Sequence, residues 1–484
     1  MPEDGLPNGL PAGLRERLRA CLGPKGMVEE ADDIAPHLSD WRGLYHGRTP
    51  CVLRPASTAE LSAVVALCHA AGVAMVPQGG NTSMSGGSVP DGSGRQVVVS
   101  LGRMNRLRAL DPVDMTMTVE AGMVVRRVQE LAAEAGCQFP LAFGGDGTAM
   151  VGGMLSTNAG GNTTVRYGNA RELTLGLEVV LPDGQVIDAL RQLRKDNTGY
   201  ALRQLFIGAE GTLGFITAAV LRLFPPVRDK ALALCAVQEP EAALALFRRF
   251  RDRDETALRA FEYISGSAMR LVLEGIEGAS LPLASPAPHY VLIDLAASRP
   301  QAGLRELLEG VLEEALEAGE VADAVIAESE AQRQAIWRLR EEAPEAQRRA
   351  GASVKSDVSV PVSRVPELIR RCFEAMPAIV PGAEPVAIGH LGDGNIHMNL
   401  QQPAHLSAEA FMAHGEAVMN AVNEITGALG GSFSAEHGVG RIKVKTLAKW
   451  RGGAELETMR RIRAALDPAG LMNPDVLFAP APRR

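Results

Sequence analysis

The sequence lacks the marks of several large protein classes. Its six cysteines (Cys21, Cys51, Cys68, Cys137, Cys235 and Cys372) are scattered, with no CxxC pair and no iron–sulfur spacing. They read as buried thiols of a reducing compartment. Positive charge is not in excess: 49 Lys and Arg against 57 Asp and Glu leave a net charge of -8. That argues against a nucleic-acid partner, because phosphate neutralisation needs a basic face. No apolar run approaches the roughly 18 to 20 residues that cross a bilayer. The opening MPEDGLPNGLPAG has no basic region followed by an apolar one, so a soluble cytoplasmic protein is expected, with peripheral docking at a membrane left open. Also missing are a GxGxxG turn after a strand and a GxxxxGK[ST] loop, which disfavours NAD and ATP by those routes.

What is present is ordinary globular material, 46% hydrophobic and 22% charged over 484 residues, long enough for two to four domains with a cleft. Ser57-Thr58-Ala59-Glu60 has capping-box spacing, and LSAVVALCHAAG behind it predicts a helix that Gly72 stops. Strands are expected at VAMVP, QVVVSL and MTMTVEAG, and a helix at VVRRVQELAAEAG. ELTLGLEVVLPDGQVIDA reads as a hairpin turning at Pro182-Asp183-Gly184. Pro225-Pro226 ends an apolar strand and suggests a domain boundary. Beyond it, strands such as HYVLIDLA alternate with helices such as GLRELLEGVLEEALEAG, and further helices are expected near 407 to 428 and before LDPAGLMNP.

Three glycine-rich blocks crowd the first half: QGGNTSMSGGSVP, GGDGTAMVGGMLSTNAGG and RKDNTGYALRQLFIGAEGTLGFI. One such block reads as a tight turn. Three within about 140 residues, each with Asn, Ser or Thr beside its glycines, favour backbone N–H groups gathered around a phosphate-bearing cofactor. These motifs, with RYGNARELTLGLEVVLPDG, resemble the FAD-binding half of the vanillyl-alcohol oxidase/p-cresol methylhydroxylase flavoproteins. GHLGDGNIHMNL, SAEHGVGRIK and LDPAGLMNP, in the same order, are similar to the D-2-hydroxy-acid dehydrogenase branch of that superfamily.

The resemblance implies an α+β fold: a two-subdomain FAD-binding domain over 1–226, an α/β, ferredoxin-like cap carrying the substrate over 227–430, and a C-terminal helical segment, 431–484, returning to the FAD domain. It places Pro77, Gly79, Gly80, Asn81, Thr82, Gly86, Gly87 and Ser88 around the pyrophosphate. Gly152, Gly153, Ser156, Asn158 and Gly161 would line the flavin and its chain, with Ile216 and Asn473 nearby. Some superfamily members attach FAD through a histidine in these loops; the matching stretch has none, so noncovalent FAD is expected.

GHLGDGNIHMNL raises a separate question, because His390 and His397 flank a turn in an apolar stretch. If Asp393-Gly394 is a two-residue hairpin turn, the histidines stand opposite each other on one face. Metal ligation and a hydrogen-bonded core pair are then equally open. Glu436, in a glycine-rich segment, would complete a two-histidine, one-carboxylate set with open positions, and in the resembling dehydrogenases the matching positions ligate a divalent metal, usually zinc. Such a cation would chelate a 2-hydroxy acid, with His437 as the base for its hydroxyl proton.

Substrate carboxylates ask for cations, and the resemblance assigns that role to Arg340 and Lys355, together with Asn399. One position departs: the D-2-hydroxyglutarate enzymes carry a hydroxyl residue four after the arginine, where this chain has Pro344. D-2-hydroxyglutarate is the first expected substrate, with D-lactate or another D-2-hydroxy acid following. A zinc hydrolase using the same His-His-Glu group, and a catalytically silent flavin binder, remain as competing classes. Without an NAD motif or cluster ligands, electrons would leave to a separate carrier: electron-transfer flavoprotein, a quinone or a cytochrome. A homodimer is common in such flavoproteins.

Overall fold

The computed structural model describes residues 9–479. The chain divides into two compact units, one of Met1–Gly160, Asn169–Pro225 and Glu436–Arg484, the other of Gly161–Gly168 and Pro226–Ala435. Among the described residues no helix is long and apolar enough to cross a membrane.

Two sheets build the first unit. In one, Val52–Leu53, Val97–Ser100 and Met75–Gln78 run parallel, and Met27–Val28 pairs antiparallel with the first of them. Parallel strands need a crossover, and the helix Thr58–Ala70 supplies it. Ser57 caps it, its Oγ accepting from Glu60 N at 3.2 Å, while Glu60 Oε2 reaches back past the cap to accept from Ala56 N at 2.8 Å. The other sheet is antiparallel, in the order Leu107–Asp111, Thr116–Glu120, Phe215–Arg222, Thr174–Val180, Val186–Ala189. Its last two strands are the expected hairpin, closed where Leu181 N donates to Gln185 O at 2.8 Å.

The second unit is organised on an eight-stranded antiparallel sheet. Its order is Asp323–Ile326, Asp229–Val237, His289–Ala297, Leu258–Ser265, Glu384–His390, Asn395–Gln401, Ser353–Val354, and Val358–Ser359 also pairs with Asn395–Gln401. Alternating residues send apolar side chains to both faces. Ala233, Phe261, Val291 and Ile293 meet the helices Pro240–Asp254, Leu304–Glu317 and Val365–Ile379. Leu232, Ile264, Leu292 and Ile388 meet Gly266–Gly275, Glu330–Glu341 and Ala343–Arg349. The break between the last two helices falls just before Pro344, whose ring suits a first helical turn and not an interior one.

Three local readings are corrected. The single helix expected near 407 to 428 is two, Ala408–Met412 and Gly415–Ala428, because the turn tightens where His414 N bonds back to Phe411 O. Gly161–Gly168 belongs with the second unit, held there by Val165 packing at Gly392 and by Arg166 Nη1 donating to Ala296 O at 2.5 Å. The Asp393-Gly394 turn is not a two-residue turn: a 3-10 turn over Leu391–Asp393 precedes Gly394, and His390 pairs with Asn395.

Candidate active site

In the first unit, the expected cofactor residues lie on the strands Met75–Gln78 and Phe215–Arg222, on the short helix Val151–Ser156 and on the loops beside them, brought together by small residues. A Cβ on Gly80 would overlap the Thr148 carbonyl oxygen, so glycine is what lets the first and second blocks touch, whereas nothing stands within 4 Å of where a Cβ on Gly153 would be. Gly79 faces the same helix start, near Met150 and Gly153, and Thr82 lies near Gly145. Gly152 N donates to Ala121 O at 2.7 Å, and Ser156 Oγ returns a bond to Gly152 O at 2.7 Å. Pro77 packs on Gly211. Ile216 is buried in the strand beside it.

Three of the expected residues are asparagines in the left-handed region, Asn81 at φ 53°, Asn158 at 53° and Asn473 at 42°. That conformation is disfavoured for a residue with a Cβ and persists where the surroundings hold it. Each is held by its own amide. Asn81 Oδ1 accepts from Ser88 Oγ at 2.8 Å and Asn158 Oδ1 from Arg171 N at 3.0 Å. Asn473 Nδ2 donates to Gly87 O at 2.9 Å and Glu210 O at 2.7 Å, while its buried Oδ1 has no hydrogen-bond partner among the described residues. The open glycine, the strained asparagines and that orphaned acceptor fit a backbone-lined FAD site. Gly161 alone of the set stands in the second unit.

Glu210 was not singled out in the sequence, although it is the one carboxylate in IGAEGTLG. Its Oε1 and Oε2 accept from Val439 N and Gly440 N, both at 2.7 Å. Burial pushes this carboxyl up, opposed by the two N–H donors and Lys443. It ties the third glycine block to the segment just after His437, whose carbonyl accepts from Ser85 Oγ at 2.7 Å.

In the second unit, His390 ends one strand and His397 lies within its neighbour, opposite Ile388. The register is displaced by two residues from direct opposition of the histidines. A one-residue slip would put them on opposite faces; a two-residue shift keeps one face. The ring centroids are 6.1 Å apart. His390 is hydrogen-bonded to a buried carboxylate, Glu262 Oε1 lying 2.7 Å from its Nδ1, whereas Asp357 Oδ1 stands 3.8 Å from His397 Nδ1, beyond a direct hydrogen bond, and accepts from Asn395 Nδ2 at 3.0 Å. A bond like that to Glu262 fixes the tautomer of a metal-ligating imidazole, so His390, with His397 on the same face, fits a divalent cation.

Arg340 sits on the helix Glu330–Glu341, is 7% exposed, and donates from Nε to Glu262 Oε2 at 2.7 Å. Burial pushes the Glu262 carboxyl up, but the neighbouring His390 and Arg340 outweigh it and hold it below its ordinary value. Asn399 Nδ2 donates to Gln347 Oε1 at 3.0 Å and its Oδ1 accepts from Ser356 N at 3.2 Å, next to Lys355. Gln347 Nε2 is buried with no hydrogen-bond partner among the described residues. Glu436 and His437 open the segment that follows Ala435 and belong to the first unit.

Residues 49–190 match the family model described as FAD binding domain, and residues 227–477 the one described as FAD linked oxidases, C-terminal domain. The second match alone covers more than half of the chain. The chain belongs to the FAD-linked oxidase family. It is 36% identical over 456 residues to the mitochondrial D-2-hydroxyglutarate dehydrogenase of Arabidopsis thaliana, covering 94% of this chain and 80% of that protein. To the D-2-hydroxyglutarate dehydrogenase of Xanthomonas citri pv. viticola it is 36% identical over 452 residues, covering 93% and 94%. It is thus an FAD-dependent dehydrogenase. Its fold is shared with p-cresol methylhydroxylase, with a TM-score of 0.75 at 16% identity, covering 98% of this chain and 99% of that one.

Glu262, Asp357 and Gln347 are the polar residues of the second unit that motif reading missed. None lies in a motif. Glu262 is one carboxylate inside the apolar strand LRAFEYIS, a place where a charge is costly unless paired, and that mismatch was the available signal.

Proposed function

We propose that the protein oxidises a D-2-hydroxy acid to the 2-oxo acid, with D-2-hydroxyglutarate the first substrate and D-lactate the alternative. FAD is bound noncovalently, and His390, His397 and Glu436 hold a divalent cation, zinc first. The observation that carries the reading is the histidine pair on one face of a hairpin, with the His390 ring hydrogen-bonded to the buried Glu262 carboxylate. The named relatives supply the substrate class. Chain connectivity supports Glu436: Ser432 pairs with Ser359, which lies opposite Asn395 on the histidine strand. Four further residues span at most about 13 Å.

When bound, FAD supplies a two-electron acceptor and the cation a Lewis acid. The protein's own groups bind, orient and move the proton. Arg340 and Lys355 receive carboxylate oxygens, the guanidinium bidentately, and Asn399 orients the acid. His437 takes the hydroxyl proton as hydride leaves C2, so that the carbon gains its carbonyl and the two electrons depart with the hydride. Electrons then pass to a separate carrier, an electron-transfer flavoprotein, a quinone or a cytochrome.

The test is anaerobic reduction of the flavin by a panel of D- and L-2-hydroxy acids, with and without chelator. Bleaching by D-isomers alone, abolished by chelator, is the expected result, and the order of D-2-hydroxyglutarate and D-lactate fixes the substrate. Equal bleaching by L-isomers or by chelated protein overturns the metal-chelate reading. A colourless protein would return the His-His-Glu group to hydrolase chemistry.

A further inference from the structure

We infer that Glu262 is a positioning residue that ties the metal histidine to the substrate arginine, fixing His390 with Nε2 as its ligating nitrogen and Arg340 in its carboxylate-binding place. The inference rests on the proposed roles of His390 and Arg340. Glu262 lies opposite His390 on the neighbouring strand, so their side chains share a face of the sheet. The helix bearing Arg340 packs on that face through Ile336 and Leu339, against Ile264, Leu292 and Ile388. Glu262 is fully buried and uses both oxygens, Oε1 toward His390 Nδ1 and Oε2 toward Arg340 Nε, each at 2.7 Å.

The chemistry of these three groups allows one useful arrangement. A guanidinium stays protonated, and an ionised carboxylate can only accept. His390 Nδ1 therefore carries a hydrogen, and in the neutral ring the lone pair is left on Nε2, the form a cation requires. Stability alone gives little reason for the arrangement, since apolar side chains of similar volume serve a core as well as a buried ion pair or better. One carboxylate shared between a ligand of the cation and a binder of the substrate makes the placement of each depend on the other.

Asp294 provides an internal control. It is also fully buried, on the same face of the next strand, and accepts from Arg259 Nη2 at 2.5 Å, Arg333 Nη2 at 3.2 Å and Trp337 Nε1 at 3.0 Å, with no histidine among its partners in the described residues. Loss of its charge disturbs the same helix and sheet but not His390.

The experiment measures zinc affinity of the FAD-loaded protein by chelator competition, with KM and kcat for the D-2-hydroxy acid, in wild type, Glu262→Gln, Glu262→Asp and Asp294→Asn. The amide of Gln offers one acceptor to two N–H donors, so either Arg340 is released or the proton moves to Nε2. Glu262→Gln should weaken zinc binding by about 10- to 100-fold and raise KM, with FAD retained. Glu262→Asp, which keeps the charge on a shorter arm, should recover part of the affinity, and Asp294→Asn should bind zinc as wild type does. Wild-type zinc affinity and KM in Glu262→Gln, or an equal loss in Asp294→Asn, overturns the inference while leaving the metal reading intact. A wild type that binds no zinc overturns the metal reading itself. Should Glu262→Gln not fold, Glu262→Asp decides: weakened zinc binding with FAD retained supports the inference, and unchanged affinity and KM overturn it.

Discussion

Replacing Glu210 by Gln removes the charge from a carboxylate that holds two backbone N–H groups at 2.7 Å each. The amide can accept from one of them and must turn its NH2 toward the other. Two hydrogen bonds to a charged group, each worth roughly 1.5 to 3 kcal/mol, become one neutral bond worth about 1 kcal/mol. The donor left unpaired adds about 1 to 3 kcal/mol of penalty. Against this, the neutral amide is easier to bury than the carboxylate, which burial disfavours. A net loss of roughly 2 to 4 kcal/mol follows, and at about 2 °C per kcal/mol for a unit of this size the midpoint of FAD release should fall by roughly 4 to 8 °C. Flavin fluorescence during heating reads that midpoint directly. The same loop carries His437, so kcat should fall more than KM rises. A variant that releases FAD within about 1 °C of wild type and turns over normally would show that the carboxylate does not order this segment, and the argument from its two short bonds would fail.

Three further outcomes follow from particular contacts. Gly394 is at φ 85°, and a Cβ there would overlap the Val360 carbonyl oxygen; Gly394→Ala adds about 1 kcal/mol of left-handed strain to that clash. It should therefore lower both thermal stability and zinc affinity, where a purely local effect would lower stability alone. His289 Nδ1 meets the Tyr263 hydroxyl at 2.6 Å, and burial holds the imidazole below its ordinary pKa of 6.5. The unfolded chain then binds the extra proton first, so this contribution to stability is complete above about pH 6.5 and is lost as pH falls toward the folded pKa. His289→Gln should flatten the stability profile between pH 7 and 5, and an unchanged profile would refute the assignment. Burial raises the thiols of Cys51, Cys68 and Cys372 to about 12. Native protein at pH 8 should leave all three unlabelled by a maleimide that reacts in denaturant, as read by mass spectrometry.

The helix Thr58–Ala70 and the hairpin of Thr174–Val180 with Val186–Ala189 were legible because their signals are local: a capping box, and a Pro-Asp-Gly turn between alternating apolar residues. The FAD-binding domain was legible in its glycine-rich blocks, since a backbone that must approach a phosphate leaves a run of glycines and small polar residues in the chain. The hairpin at 389 to 400 was legible only in part. Asp393-Gly394 announces a turn, yet Gly394 closes a 3-10 turn and does not centre a two-residue one, because Gly394 N bonds back to His390 O and Leu391 O. The histidines keep a common face because the displacement is two residues, an even number.

By itself, then, the sequence determined what short-range chemistry dictates: the elements with their caps and turns, the glycine-rich blocks of an FAD-binding domain, and a histidine pair around a turn. Tertiary structure decided what depends on residues far apart in the chain. Glu262 meets His390 across 128 positions and Arg340 across 78. Glu210 reaches Gly440 across 230. No local pattern records such partners, because a buried carboxylate is selected by the groups that fold around it and not by its neighbours in sequence.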